Sequence, residues 1–147
     1  MPNNDAAAFN DQSFQTLYRV DGRPWATIFA TGFTAHAPGR RVDLIDYVNE
    51  NQPSSYISTT VSPYAALAFG GPGVKNLYKI VTNRPRKSVR NFTLPNQYSH
   101  QDEVAVIDSI PATHIEWCKQ IQVTRRGELA TEPRLVAPIP NGSFNPA

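Results

Sequence analysis

Thirteen prolines distributed along 147 residues leave little room for long uninterrupted helices, because each interior proline removes a backbone donor and clashes with the preceding turn. Fifteen aromatic residues (two Trp, six Tyr, seven Phe) against a single methionine point the same way, toward short strands and turns rather than a helical bundle. At this length, with 40% apolar residues, one domain spanning 1–147 is expected, with a core that needs no staples.

Local patterns set the element order. "TLYRV" (16–20) reads as a strand and "DGRP" (21–24) as a turn, after a loose N-terminus over 1–15. "WATIFATGF" (25–33) reads as a short helix stopping at Gly32, and "VDLIDYVNEN" (42–51) places Val42, Ile45 and Val48 on one helical stripe. "SSYISTT" (54–60) is β-rich. The following "SPYAALAFG" (62–70) offers Ser62 as N-cap and Pro63 at the first helical position. Strands are expected over 74–82, 103–110 and 116–126, with loop chemistry over 83–100. The Pro-rich tail, 124–147, is expected to be extended or wrapping, with no fold of its own.

Several functions are excluded or disfavoured. The lone Cys118 permits no intrachain disulfide and no thiolate cluster, and His36, His100 and His114 lack ligand-like spacing, so no metal is expected. No apolar run approaches the ~18 residues of a membrane span, and "MPNNDAAAFNDQS" lacks the pattern of a signal peptide. A net charge of +2 is too small to announce a nucleic-acid partner, although "RPRKSVR" contributes Arg84, Arg86, Lys87 and Arg90 without an intervening acid.

Three segments carry candidate chemistry. "LYRVDGRP" places Arg19 in a strand; "YISTT" offers Ser58, Thr59 and Thr60; and "QDE" sets Gln101 and Glu103 on one face of a strand entrance. Taken singly, each is an ordinary polar strand residue. In this order, they resemble the three-part pattern of mono-ADP-ribosyltransferases of the Arg-Ser-Glu class, the pertussis-toxin-like group. "YRVDGRPWATIFATGFTA" is similar to that group's Y-R-x-D-x-R-P and F-x-x-G-F-T-A segments. "YISTTVSPYAALAF" is similar to its Ser-Thr-Ser strand and following helix, and "HQDEVAVIDSIPATHI" to its Q-x-E strand and Ile-Pro turn. His36 stands where that group has tryptophan.

The resemblance implies an α+β ADP-ribosyltransferase fold, with two packed, mainly antiparallel sheets and short flanking helices around a cleft for NAD as co-substrate. It implies that Arg19 grips the NAD pyrophosphate, a task suited to a planar, always-charged guanidinium. Arg23 then reaches the adenine or its phosphate. Ser58 holds Glu103 and the nicotinamide ribose in register, while Thr59 and Thr60 line and support the same strand. Glu103 stabilises the oxocarbenium-like charge that builds as the nicotinamide bond breaks. Gln101 orients the nucleophile, Tyr98 contacts the target and Tyr64 packs near the nicotinamide.

The expected acceptor is a macromolecule: a protein side chain first, with guanine or RNA as the alternative and an inactive NAD-binding module as a third reading. The resemblance further suggests a monomeric effector domain of a secreted or delivered bacterial toxin, acting in the target cell's cytoplasm and possessing an immunity partner.

Overall fold

The computed structural model describes residues 13–36, 56–68, 71–88 and 103–146. In chain order the elements are β1 (Gln15–Asp21), α1 (Trp25–Thr31), β2 (Phe33–Thr34), β3 (Tyr56–Thr60), α2 (Pro63–Leu67), β4 (Gly73–Thr82), β5 (Arg86–Ser88), β6 (Glu103–Ile107), β7 (Ser109–Ile110), β8 (Ile115–Val123) and β9 (Ile139–Pro140). Single 3-10 turns occupy Ala112–His114 and Pro133–Leu135. Seven strands form one sheet in the order β5-β6-β3-β1-β4-β8-β9, and β2 pairs with β7 in a second, smaller sheet. Every described pairing is antiparallel. This is the α+β architecture expected from the sequence.

Alternation along the central strands divides the apolar residues between two faces. Leu17, Tyr78, Ile80, Val104 and Val106 face the main core, where Ile28 from α1 and Phe33 from β2 cover them. Leu77 and Ile121 face the other way, beneath Ala66 and Leu67 of α2. Ile28 is the buried anchor of α1, and burying one such side chain contributes roughly 1.5–3 kcal/mol.

Both helices begin and end as their sequences indicate. The Ser62 hydroxyl accepts from the Ala65 amide at 3.3 Å and Pro63 occupies the first turn of α2. Gly32 caps α1 at φ 72°, its amide donating to the Ile28 carbonyl at 2.7 Å. A Cβ at Gly32 would stand 2.2 Å from the Ile110 carbonyl oxygen and 2.7 Å from the Ala112 nitrogen, backbone atoms that cannot step aside. Gly32→Ala is therefore expected to destabilise the fold by about 3 kcal/mol or more. Equilibrium denaturant unfolding measures this, and a loss below about 1 kcal/mol would contradict the close approach.

Three expectations need correction. The 83–100 segment contains a strand, β5, paired with β6 through Arg86↔Val106, Lys87↔Ala105 and Ser88↔Val104. The expected strand at 103–110 is two strands, broken at Asp108, whose φ of 64° turns the chain out of the large sheet into the small one. The tail, expected to be extended or wrapping with no fold of its own, contributes a short strand: β9 joins the large sheet through Trp117↔Pro140 and Cys118↔Ile139. The expected 42–51 helix lies outside the described residues.

The basic run is also changed in meaning. Arg84 donates to the carbonyls of Ser109 (2.9 Å) and Ile107 (3.2 Å), and Arg86 donates to the Gln15 side chain (2.6 Å) and the Arg84 carbonyl (3.1 Å). Arg86 and Lys87 are buried. These cations fasten β5 to its neighbours instead of forming a solvated patch, and Arg90 lies outside the described residues.

Candidate active site

On β1, residues 17, 19 and 21 share a face, so the alternation that seats Leu17 in the core directs Arg19 and Asp21 to the same side. Arg19 lies opposite Tyr78 in the β1–β4 ladder. β1 and β3 meet only at Tyr18↔Thr60 among the described registers. Across this junction Arg19 Nη1 donates to the Ser58 carbonyl at 2.8 Å. The guanidinium also lies 5.3 Å from the centre of the Phe33 ring.

Asp21 ties the two arginines together. Its Oδ1 accepts from the Arg23 amide (3.0 Å) and Nε (2.8 Å), while Oδ2 accepts from Arg23 Nη2 (2.7 Å) and Arg19 Nη2 (3.3 Å). Burial alone would raise this carboxyl, but the hydrogen bonds from Arg23 and the two nearby cations outweigh it and hold Asp21 below the usual carboxylate range. Asp21 thus stays ionised and keeps both forks in place. Sequence reasoning missed this role because Asp-Gly reads locally as turn chemistry.

On the neighbouring ladder, Ser58 pairs with Ala105 and Thr60 with Glu103. The Ser58 side chain hydrogen-bonds Glu103. Burial pushes the Glu103 carboxyl above its ordinary 4.5, while the Ser58 hydrogen bond and the Arg19 charge pull against it without cancelling the rise. A guanidinium, a hydroxyl and a carboxylate from positions 19, 58 and 103 are therefore brought together in one electrostatic unit.

The other expected site residues take different places. Thr59 donates to the Val104 carbonyl at 2.7 Å, and the Thr60 oxygen accepts from the Ser62 amide at 3.2 Å, so both hydroxyls are engaged in the strand and its exit into α2. These bonds support the strand from within, as the sequence suggested. Tyr64 is exposed and its hydroxyl donates to Glu132 of the tail. Gln101 and Tyr98 lie outside the described residues. Phe33 and Tyr78, the aromatic floor beneath the arginines, were not anticipated; Phe33 meets Tyr78 edge-on at 5.3 Å.

The site keeps one donor of a cation open. Arg19 Nε is buried without a hydrogen-bond partner, while both terminal nitrogens are held by protein oxygens. A buried, fixed N–H of a cation with no acceptor suits a phosphate oxygen. Among the described residues no group of three or more His, Cys, Asp or Glu side chains is arranged to hold a metal ion.

Comparison with known proteins follows the same line. The family model described as Scabin-like matches residues 17–135. A structure named EcPltA superposes with a TM-score of 0.70 at 21% identity, covering 90% of this chain and 88% of that one. Scabin toxin from Streptomyces scabies in complex with NADH gives 0.69 at 23%, covering 97% and 86%. A structure named guanine-specific ADP-ribosyltransferase gives 0.70 at 24%, covering 92% and 81%. No curated protein matches the chain significantly.

Fold and family match together define a mono-ADP-ribosyltransferase. Within that class the chain belongs to the Scabin-like family.

Asp21→Asn tests the double clamp. It keeps the side chain's shape but removes the charge that aligns both forks, and kcat/KM for NAD is expected to fall roughly 10- to 100-fold through misplacement of Arg19. Wild-type kinetics in a folded variant would show that Arg19 is positioned without it.

Proposed function

We propose that this chain is the catalytic domain of a toxin delivered into a target cell, where it transfers ADP-ribose from NAD to guanine in a nucleic acid or nucleotide. The observation that carries the transfer chemistry is the convergence of Arg19, Ser58 and Glu103. Breaking the bond between ribose C1′ and the nicotinamide nitrogen sends its electron pair to the pyridinium and leaves positive charge on the sugar. Glu103 faces that charge as a carboxylate and accepts from the ribose 2′-hydroxyl, Ser58 holds Glu103 in place, and Arg19 holds the diphosphate. A guanine nitrogen then bonds to C1′ and gives up its proton to solvent water, while neutral nicotinamide leaves.

Support for guanine comes from the structural neighbour whose name specifies that base. The protein side chain suggested by the motifs is the competing acceptor. The 84–88 cations supply no support for either, since they are engaged within the fold.

The experiment is incubation with NAD labelled in its adenylate half, together with guanine nucleotides, DNA, RNA and a protein extract. Nicotinamide release with label on guanine-containing material is expected. Label on protein alone would replace the acceptor, and absence of nicotinamide release under all conditions would overturn the enzymatic reading.

A further inference from the structure

The contacts around Arg19 run in a line. Arg19 holds the Ser58 carbonyl on one side and Asp21 on the other; Asp21 holds Arg23; and Pro24 leads directly into Trp25 at the start of α1. The backbone of this last stretch is fixed. The Arg23 carbonyl accepts from Asn76 Nδ2 at 3.1 Å, and the Pro24 carbonyl accepts the amides of Thr27 and Ile28 at 3.1 and 3.2 Å.

Trp25 is 36% exposed although it begins a helix whose other large side chains pack inward. Its ring meets Phe29 at 5.5 Å, Phe29 meets Tyr78 at 6.3 Å, and Tyr78 meets Phe33, over which both guanidiniums lie. Trp25 is thus the outer end of a chain of edge-on aromatic contacts whose inner end carries the cations. An indole with an open surface, two residues after Arg23, offers a purine base a flat apolar surface on which to stack.

We propose that Trp25 is the stacking platform for the adenine ring of NAD. The reading rests on NAD being the co-substrate and follows the order of groups along both molecules. Ser58 and Glu103 hold the nicotinamide ribose, Arg19 the diphosphate, and the line continues through Arg23 to Trp25, where the adenosine end of the dinucleotide arrives. Trp25 acts on binding and not on the bond that breaks, so it is a specificity residue for the adenylate half.

The test uses two fragments of the dinucleotide as inhibitors of NAD hydrolysis: AMP, which carries adenine, and nicotinamide mononucleotide, which does not. Trp25→Ala is expected to weaken AMP inhibition about 5- to 100-fold, to raise the KM for NAD in parallel, and to leave inhibition by nicotinamide mononucleotide within about twofold. Trp25→Phe, which keeps an aromatic surface, is expected to recover most of the AMP affinity. Because Trp117 is the only other tryptophan, Trp117→Phe isolates the emission of Trp25; AMP is expected to quench it and nicotinamide mononucleotide to leave it unchanged. That measurement needs no turnover, so an inactive preparation would count against the enzymatic reading without deciding this one. Equal weakening of both inhibitors would reduce Trp25 to a structural residue. Absence of quenching, or a change confined to the KM of a guanine acceptor, would overturn the proposal.

Discussion

Glu103→Gln is expected to lower the rate of NAD cleavage about 100- to 1000-fold while leaving the protein folded and more stable than wild type. The two effects have one cause. Burial raises the Glu103 carboxyl above 4.5 despite the Ser58 hydrogen bond and the Arg19 charge. A carboxyl whose folded value is raised binds its proton more tightly in the native state, so near neutral pH the ionised form opposes folding, and that opposition disappears as pH falls through the raised value. The neutral amide escapes this penalty but cannot face a developing sugar cation with a full negative charge. Thermal unfolding near pH 7 and nicotinamide release measure the two halves. A variant that loses stability, or that keeps wild-type turnover, would contradict the assignment. In the wild type, kcat/KM is expected to decline on the acid side with a midpoint above 4.5, because only the carboxylate is active.

Arg19→Ala is expected to reduce kcat/KM for NAD about 100- to 1000-fold, the range reached when one member of a hydrogen-bonded charge pair is removed from a desolvated contact. Lysine is expected to recover little, because one ammonium cannot reproduce the in-plane fork that reaches the Ser58 carbonyl, Asp21 and a phosphate together. Loss of the guanidinium also removes a charge that lowers Glu103. The acid limb of the residual activity is therefore expected to move to higher pH, and a stationary limb would show that the two groups are not coupled. Steady-state kinetics across pH read both consequences in one series.

The parts of the fold that the sequence announced are those with dense local signals. β1, β4 and β8 alternate, α2 carries a Ser-Pro start, and α1 stops at a glycine that the tertiary contacts confirm is required. β5 escaped because three residues after a proline show no period, and because Arg86 finds its side-chain partner, Gln15, 71 residues away. The same limitation applies within the site. Arg19, Ser58 and Glu103 could be picked out by their order, whereas the clamp at Asp21 depends on side-chain directions that an Asp-Gly turn does not encode. The Tyr64 hydroxyl likewise finds its partner, Glu132, 68 residues away, which no local pattern announces.

The outermost strands of the large sheet, β5 and β9, are three and two residues long. A ladder that short offers another polypeptide almost no hydrogen-bonding template, and proline at position 140 withholds one amide outright. Removing 139–146 would uncover β8 at Trp117 and Cys118 and open the sheet there to strand addition between copies. The C-terminal segment thus guards colloidal behaviour as well as architecture.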